Sequence, residues 1–190
     1  MPIPRQSPVA DNFAKRVIGQ FAFSPAGQWS LRNISPRVDP MLIRLTRGRV
    51  SSIGPWPRFV LLTHTGAKSG IRRTTPLLYF TDGDRVILIA TNCGGTRHPA
   101  WYHNVKANST MTLYTGGFEG RFVGEEVTGA ERSRLWSTVK QWLPGYDTSS
   151  VGDRQIPLLA LTRSSSCRAP CTSWARERPA ATDPRSANAA

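Results

Sequence analysis

Two glycine turns between apolar runs constrain the fold of this chain more than any other feature. One is Asp82-Gly83-Asp84 and the other is Gly116-Gly117. Such turns join neighbouring antiparallel strands, because glycine adopts the backbone angles that a tight hairpin requires. The strands predicted from the apolar runs span residues 58–65, 75–81, 85–91, 110–115, 118–127 and 156–162. Since strands and helices do not alternate regularly, the pattern predicts a mainly β fold, an antiparallel barrel with flanking helices.

Proline and apolar spacing predict the helices and one strand position. Residues 12–23 form a short basic amphipathic helix, which either lies on an acidic membrane surface or covers its own domain. Residues 24–38 are interpreted as a loop, and Asp39-Pro40 as the start of a helix that ends at Gly48. Pro157 indicates an edge position for the last strand, because proline has no N–H to donate. Two further helices are predicted at residues 98–106 and 128–142.

The composition divides the chain into three parts. Residues 1–38 are a basic helix and loop, residues 39–163 the predicted barrel domain, and residues 164–190 a Ser-, Arg-, Pro- and Ala-rich tail predicted to be disordered. Three cysteines do not describe a disulfide framework, so a reducing cytoplasm is expected. No apolar run reaches the ~18 residues of a spanning helix, which leaves a soluble protein or one held peripherally at the inner face of the membrane.

The net charge of +13 is the main compositional signal, and +7 of it lies in residues 1–60. Such a charge attracts nucleic acid, an acidic lipid surface or a multiply charged cofactor. A general arginine bias of the source genome is the other explanation, since the chain has 21 Arg and only four Lys. The sequence contains no base-stacking ladder and no recognised reading helix, so no specific nucleic acid is expected.

Glycine and basic residues combine within residues 63–108 in the pattern of an anion site. Lys68, Arg72 and Arg73 lie in or beside a loop that contains Gly66 and Gly70. Glycine lets the backbone aim successive N–H groups at one anion, and the cations complement its charge. The spacing is not that of a P-loop, because the residue directly before the lysine is not a glycine. The stretch therefore predicts a site for a phosphorylated small molecule.

Other side chains near this stretch permit more than one interpretation. Cys93, beside two glycines, is either a nucleophile or a quiet loop cysteine. Trp101 is either part of the core or a contact for a planar cofactor, near the donor and acceptor of Asn104. His98 and His103 are five residues apart and do not share a helix face, so no metal site is predicted. Tyr146, after Pro-Gly, either touches substrate or caps a barrel end.

Three ordered motifs together resemble a known family. They are T-x-T-G-x-K-S-G-x-x-R-x-x-P-L at residues 63–77, D-G-D-R-V at 82–86 and H-P-A-W-Y-H-N-x-K-A-N at 98–108. The chain is similar in these motifs, over about residues 39–162, to the deazaflavin-dependent nitroreductases of actinobacteria. The resemblance implies a split antiparallel β-barrel that binds coenzyme F420 in a groove. It also implies hydride transfer from the reduced coenzyme to an organic acceptor, such as a quinone, a nitroaromatic or another conjugated compound.

The resemblance also implies which residues form the site. Lys68, Gly70 and Arg73 would hold the phosphate of the coenzyme and the start of its acidic tail. The Asn92–Gly95 loop would line the ring system, and Trp101 and Asn104 would fix the coenzyme nearby. The full predicted coenzyme-binding set is Lys68, Ser69, Gly70, Arg73, Thr75, Pro76, Asn92, Cys93, Gly94, Gly95, Trp101 and Asn104. Tyr146 is the candidate catalytic residue, as a proton donor or substrate contact.

Two alternatives remain beside this prediction. A flavin mononucleotide (FMN) protein of the same architecture would also present a cationic loop to phosphate. The other is a peripheral membrane or nucleic-acid-binding protein that acts through its basic N-terminal region. Salt separates the latter from a cofactor protein, because non-specific binding to nucleic acid weakens steeply as salt rises.

Overall fold

A computed structural model describes residues 24–52, 59–142, 150–151 and 153–164 of this chain. Its elements in chain order are α1 (Pro25–Asn33), α2 (Ser35–Leu45), β1 (Phe59–Thr65), β2 (Arg72–Asp82), β3 (Arg85–Ile89), a 3-10 turn (Asn92–Gly94), α3 (Ala100–Ala107), β4 (Thr110–Thr115), β5 (Phe118–Val127), α4 (Gly129–Trp142), β6 (Ser150–Val151), β7 (Arg154–Gln155) and β8 (Leu158–Arg163).

Six strands close into an antiparallel barrel in the order β1-β2-β3-β8-β5-β4. β4 pairs back onto β1, and every neighbouring pair in the ring is antiparallel. Both predicted hairpins are present: Asp82 pairs with Arg85 and Thr115 with Phe118. Glycines at positive φ occupy the two turns, which is why the turns could be identified from sequence. The predicted fold, a mainly β protein with an antiparallel barrel and flanking helices, is confirmed.

The prediction of an edge position for the last strand is wrong. β8 lies in the barrel wall and pairs with β3 on one side and β5 on the other. Pro157 precedes the first paired residue, Leu158, so its missing N–H removes no hydrogen bond between strands. Its carbonyl oxygen accepts a hydrogen bond from the Ala90 N–H at 3.0 Å. A closed barrel has no edge, and closure cannot be read from one proline.

Alternating side chains divide the core into the barrel interior and two outer layers. The interior holds the inward residues of the strands together with the buried side of α3, including Leu62, Leu88 and Trp101. Outside the wall, α4 covers β2, β3 and β8 through Leu135, Trp136 and Val139. α2 covers β1 through Ile43, which packs against Phe59 and Leu61. The barrel is therefore filled by side chains, and a ligand would lie at its ends or outside its wall.

The predictions for residues 24–48 need two corrections. Residues 24–38 are not a loop, because α1 and the first four residues of α2 lie there. The side chain of Ser24 caps α1 by accepting a hydrogen bond from the Gly27 N–H, and Pro25 occupies a first-turn position that needs no donor. The second helix does not start at Asp39-Pro40, because Pro40 lies inside α2. Asp39 is buried and accepts hydrogen bonds from the hydroxyls of Ser35 and Ser52.

Several predictions fall outside the described residues. They are the amphipathic helix at 12–23, Tyr146, and the tail with Cys167 and Cys171. The division into three parts stays a prediction, although α2 crosses the boundary at 38 and 39. Among the described residues, no helix has both the length and the apolar character that crossing a bilayer would need.

Candidate functional site

The loop between β1 and β2 is a closed turn that leaves two backbone donors unused. The Gly66 N–H donates to Ile71 O and the Gly70 N–H to Gly66 O, both at 2.9 Å. Gly70 has a φ of 65°, which glycine adopts without strain. The N–H groups of Lys68 and Ser69, at the exposed tip, have no acceptor in the part of the chain that the structure describes. Two consecutive free N–H groups at a turn are the elements of an anion nest.

Three cations surround this loop without a compensating acid. Lys68, Arg72 and Arg73 are exposed, and none forms an ion pair with a described residue. Arg73 lies opposite His64 in the β1–β2 register, so both are on the wall face that lines the interior further along the strands. An unneutralised cluster beside free N–H groups favours an anionic ligand such as phosphate.

A buried hydrogen-bonded cluster lies beneath the loop and connects it to β2 and α3. The Ala67 N–H donates to Asn104 Oδ1 at 2.9 Å. Asn104 Nδ2 lies 3.2 Å from His64 Nδ1, and His64 Nε2 lies 3.2 Å from Thr75 Oγ1. Burial above all, and next the positive charge of Arg73, lower the pKa of His64 below its ordinary value. The structure thus places Asn104 and Thr75, both predicted site residues, on one hydrogen-bonded network with the β1–β2 loop.

The second glycine loop, at residues 92–95, has an unusual backbone. Asn92, Cys93 and Gly94 follow one another at φ values of 54°, 50° and 73°. Left-handed conformations cost roughly 1–2 kcal/mol for residues other than glycine, so other interactions have to hold this loop. One is the hydrogen bond that Asn92 Nδ2 donates to Arg97 O, just beyond the loop, at 2.9 Å.

The guanidinium of Arg154 is a second support for this loop. It donates to the carbonyl oxygens of Ala90, Thr91 and Gly95 at 3.1, 2.9 and 2.8 Å. Arg154 Nη1 also lies 3.3 Å from His98 Nδ1, and burial first, then the charge of Arg154, lower the pKa of His98. The planar fork of arginine suits several acceptors arranged around one point. Arg154 therefore fixes both ends of the segment that was predicted to line the cofactor ring.

Helix α3 links the two parts of the site. Asn104 belongs to the network beneath the anion loop, and the ring of Tyr102 lies 4.9 Å from that of His98. The Tyr102 hydroxyl donates to Glu126 at 2.8 Å, which anchors the helix to β5. Trp101 is only 6% exposed and packs in the barrel interior, so the indole itself contributes to the core.

The predicted residues are therefore distributed over three places. Lys68, Ser69 and Gly70 form the loop tip, Arg73 and Thr75 lie on the inner face of β2, and Pro76 lies on its opposite face. The 92–95 residues form the second loop. His64 falls within the strand predicted at residues 58–65, and the sequence singled out neither it nor Arg154 as a site residue. The alternation of β1 could have placed His64 inward, whereas no local signal identifies Arg154.

Comparison with known proteins identifies the family of this chain. A family model described as F420H(2)-dependent quinone reductase matches residues 37–163, more than half of the chain. An F420H(2)-dependent quinone reductase of Mycobacterium tuberculosis is 35% identical over 132 residues, which cover 67% of this chain and 89% of that protein.

Two solved structures are similar in fold and sequence. An F420-H2 dependent reductase, FDR-A, is 34% identical with a TM-score of 0.50 and covers 55% of this chain and 93% of its own. A domain-swapped dimer is 30% identical with a TM-score of 0.52 and covers 65% and 95%.

These findings confirm the predicted deazaflavin enzyme, and the FMN alternative is not needed. The description of the matched family names quinones as acceptors, so the resemblance to nitroreductases in particular has only loose support. The acceptor is a small molecule, as predicted. The chain belongs to the F420H(2)-dependent quinone reductase family, and it is an oxidoreductase that uses the reduced deazaflavin coenzyme F420.

Proposed function

We propose that this protein reduces a quinone with F420H2 and that the β1–β2 loop holds the phosphate of the coenzyme. The observation that carries the proposal is the pair of free N–H groups at Lys68 and Ser69, beside cations without an acidic partner in the described residues. A phosphodiester needs such donors and charges, so the residues fit the coenzyme. The family description and the name of the M. tuberculosis relative favour a quinone as acceptor.

The protein residues bind and orient, while the bound coenzyme supplies the hydride. Lys68 and Arg73 hold the anionic end, Ser69 and Gly70 shape the loop, and the 92–95 loop lines one edge of the ring. Arg154 and Asn104 keep the two loops at a fixed geometry, which a hydride transfer requires over a short distance. Reduction of a quinone also takes up a proton, which solvent can supply. Tyr146 stays the candidate proton donor or substrate contact.

The direct test is a fluorescence titration of the purified full chain with oxidised F420 and, in parallel, with FMN. Lys68→Ala and Arg73→Ala should each raise the Kd of F420 roughly 10-fold or more, because hydrogen bonds to charged groups are worth about 1.5–3 kcal/mol. Arg121→Ala is the matched control, since Arg121 is exposed and its side chain makes no ion pair in the described structure. Binding of FMN and not of F420 would contradict the proposed site. So would an equal Kd of F420 for Lys68→Ala, Arg73→Ala and the control Arg121→Ala.

The acceptor needs a separate assay. Wild-type protein with F420H2 is offered a quinone and a nitroaromatic compound, and coenzyme oxidation is followed by absorbance. A higher kcat/KM for the quinone is expected. Preference for the nitroaromatic would leave the coenzyme site intact and overturn the assignment of the acceptor.

A specific surface also favours contact with an acidic membrane. α2 exposes one apolar helical stripe, and α1 adds the indole of Trp29, which is 61% exposed. The stripe consists of Val38, Met41 and Leu45 of α2 together with Ile34, the residue that precedes the helix. Residues 24–52 contain five arginines, and their single acid, Asp39, is fully buried. Apolar side chains flanked by cations suit the surface of an anionic bilayer, where a lipid-soluble quinone would also reside.

Co-sedimentation with vesicles tests the membrane contact. The wild type should bind vesicles that contain anionic lipid and not neutral ones, and Met41→Glu with Leu45→Glu should abolish binding. The matched control is Ser137→Glu, because Ser137 is exposed on α4, away from the stripe. Equal binding of vesicles by the double variant and by Ser137→Glu would contradict the proposal. Dimerisation of the protein through the apolar stripe would contradict it as well.

A further inference from the structure

The hydrogen bonds beneath the β1–β2 loop have a direction that is fixed at one end. The Ala67 N–H lies 2.9 Å from Asn104 Oδ1, and a backbone N–H can only donate. The amide oxygen of Asn104 must therefore face the loop, and its NH2 group must face His64. This assigns the amide orientation from a chemical constraint.

The same logic sets the proton of His64. Its Nδ1 lies 3.2 Å from the Asn104 NH2 group and has to accept, so Nδ1 carries no proton. A neutral imidazole with a bare Nδ1 is protonated at Nε2. His64 is only 3% exposed, which disfavours the charged form. The Nε2–H therefore donates to Thr75 Oγ1 at 3.2 Å.

Thr75 is the end of this chain of hydrogen bonds. Its oxygen accepts from His64, and the proton of its hydroxyl has no acceptor among the described residues. Thr75 is half-buried and lies two residues from Arg73 on the same face of β2, beside the proposed anion loop. We propose that Thr75 donates this hydrogen bond to an oxygen of the coenzyme, and that His64 is the positioning residue that makes Thr75 a donor. The inference rests on the proposed coenzyme site.

An oxygen acceptor could belong to the phosphate or to a carbonyl of the deazaflavin ring. Both have the same chemistry toward a hydroxyl donor. A ligand with nothing but donors at this point would be rejected, because the hydroxyl proton would then be left unpaired. Thr75 would thus select for an acceptor atom as well as contribute to affinity.

The experiment compares Thr75→Val, which keeps the shape and removes the hydroxyl, with Thr75→Ser, which keeps the hydroxyl. Each is titrated with intact oxidised F420 and with the deazaflavin fragment that lacks the phosphate. Thr75→Val should raise the Kd of F420 roughly 3- to 10-fold, the range for one hydrogen bond, while Thr75→Ser stays within about twofold. A loss that persists with the fragment indicates a ring carbonyl, and a loss confined to the intact coenzyme indicates the phosphate.

A double-mutant cycle with His64→Phe tests the positioning role. In that background the Thr75 hydroxyl is free to rotate, so Thr75→Val should cost less than in the wild type. An equal loss of affinity from Thr75→Val in both backgrounds would overturn the positioning role of His64. A histidine with a purely structural role would give that result. Thr75→Ala and His64→Leu replace the first variants if those fail to fold, because neither side chain can hydrogen-bond.

The outcomes separate this inference from the proposed function. If Lys68→Ala weakens binding and Thr75→Val leaves the Kd of both ligands unchanged, the coenzyme site stands and the inference falls. If the folded wild type binds no deazaflavin, the proposed function falls and the inference falls with it.

Discussion

Replacing Arg154 tests whether one side chain holds the strained 92–95 loop. Arg154→Ala removes the donors to Ala90 O, Thr91 O and Gly95 O. Arg154→Lys keeps the charge but offers a single point donor, which cannot reach acceptors arranged around a planar fork. If geometry matters more than charge, lysine should restore little of the lost stability.

The magnitude follows from the contacts. Hydrogen bonds that involve a charged group contribute about 1.5–3 kcal/mol each, but Arg154 is only half-buried and water can replace part of them. We therefore expect Arg154→Ala to lower the free energy of unfolding by about 3 kcal/mol. For a chain of this size about 1 kcal/mol corresponds to roughly 2–4 °C, so the Tm should fall by about 10 °C.

Thermal unfolding followed by circular dichroism measures this effect on the full chain. Arg121→Ala serves as the control for loss of a positive charge, and its Tm should stay within about 2 °C of the wild type. A Tm for Arg154→Ala equal to that of the control would refute the reasoning, because the loop would then be held by other contacts. Full recovery in Arg154→Lys would show that charge, and not the fork, is what the loop needs.

Two further predictions concern the barrel. Gly48→Ala should lower the free energy of unfolding, measured in urea, more than Gly83→Ala does. Both glycines have a positive φ, so both substitutions strain the backbone. A Cβ at Gly48 would also lie 2.8 Å from the Gly116 nitrogen, whereas a Cβ at Gly83 would meet open space. Equal losses of stability in the two variants would contradict the prediction, because the contact between residue 48 and Gly116 would then relax without cost. Asp82 has its pKa lowered to about 2, first by the hydrogen bond from Arg134. Because the folded pKa lies below the ordinary 3.8, its stabilisation is complete above about pH 4 and is lost as the pH falls toward 2. The Tm difference between wild type and Asp82→Asn should shrink over that range, and a constant difference would contradict the ion pair.

Local chemistry made much of the barrel predictable. β4 and β5 have the bounds predicted from the sequence, residues 110–115 and 118–127, since the Gly116-Gly117 turn fixes where one strand ends and the next begins. Residues 24–38 were misassigned because proline is ambiguous: Pro25 and Pro36 begin helices here, as they can wherever a first-turn N–H is not needed.

The candidate site divides in the same way. The sequence by itself predicted an anion site at the β1–β2 loop, because Lys68, Gly70 and Arg73 lie within six residues and their chemistry is local. Only the tertiary structure decided the partners of His64 and Arg154. Asn104 is 40 residues from His64, and Gly95 is 59 residues from Arg154. It also decided that β8 closes the barrel. Such pairings depend on which strands meet in space, and a hydrogen bond across that distance leaves no periodic trace in the sequence.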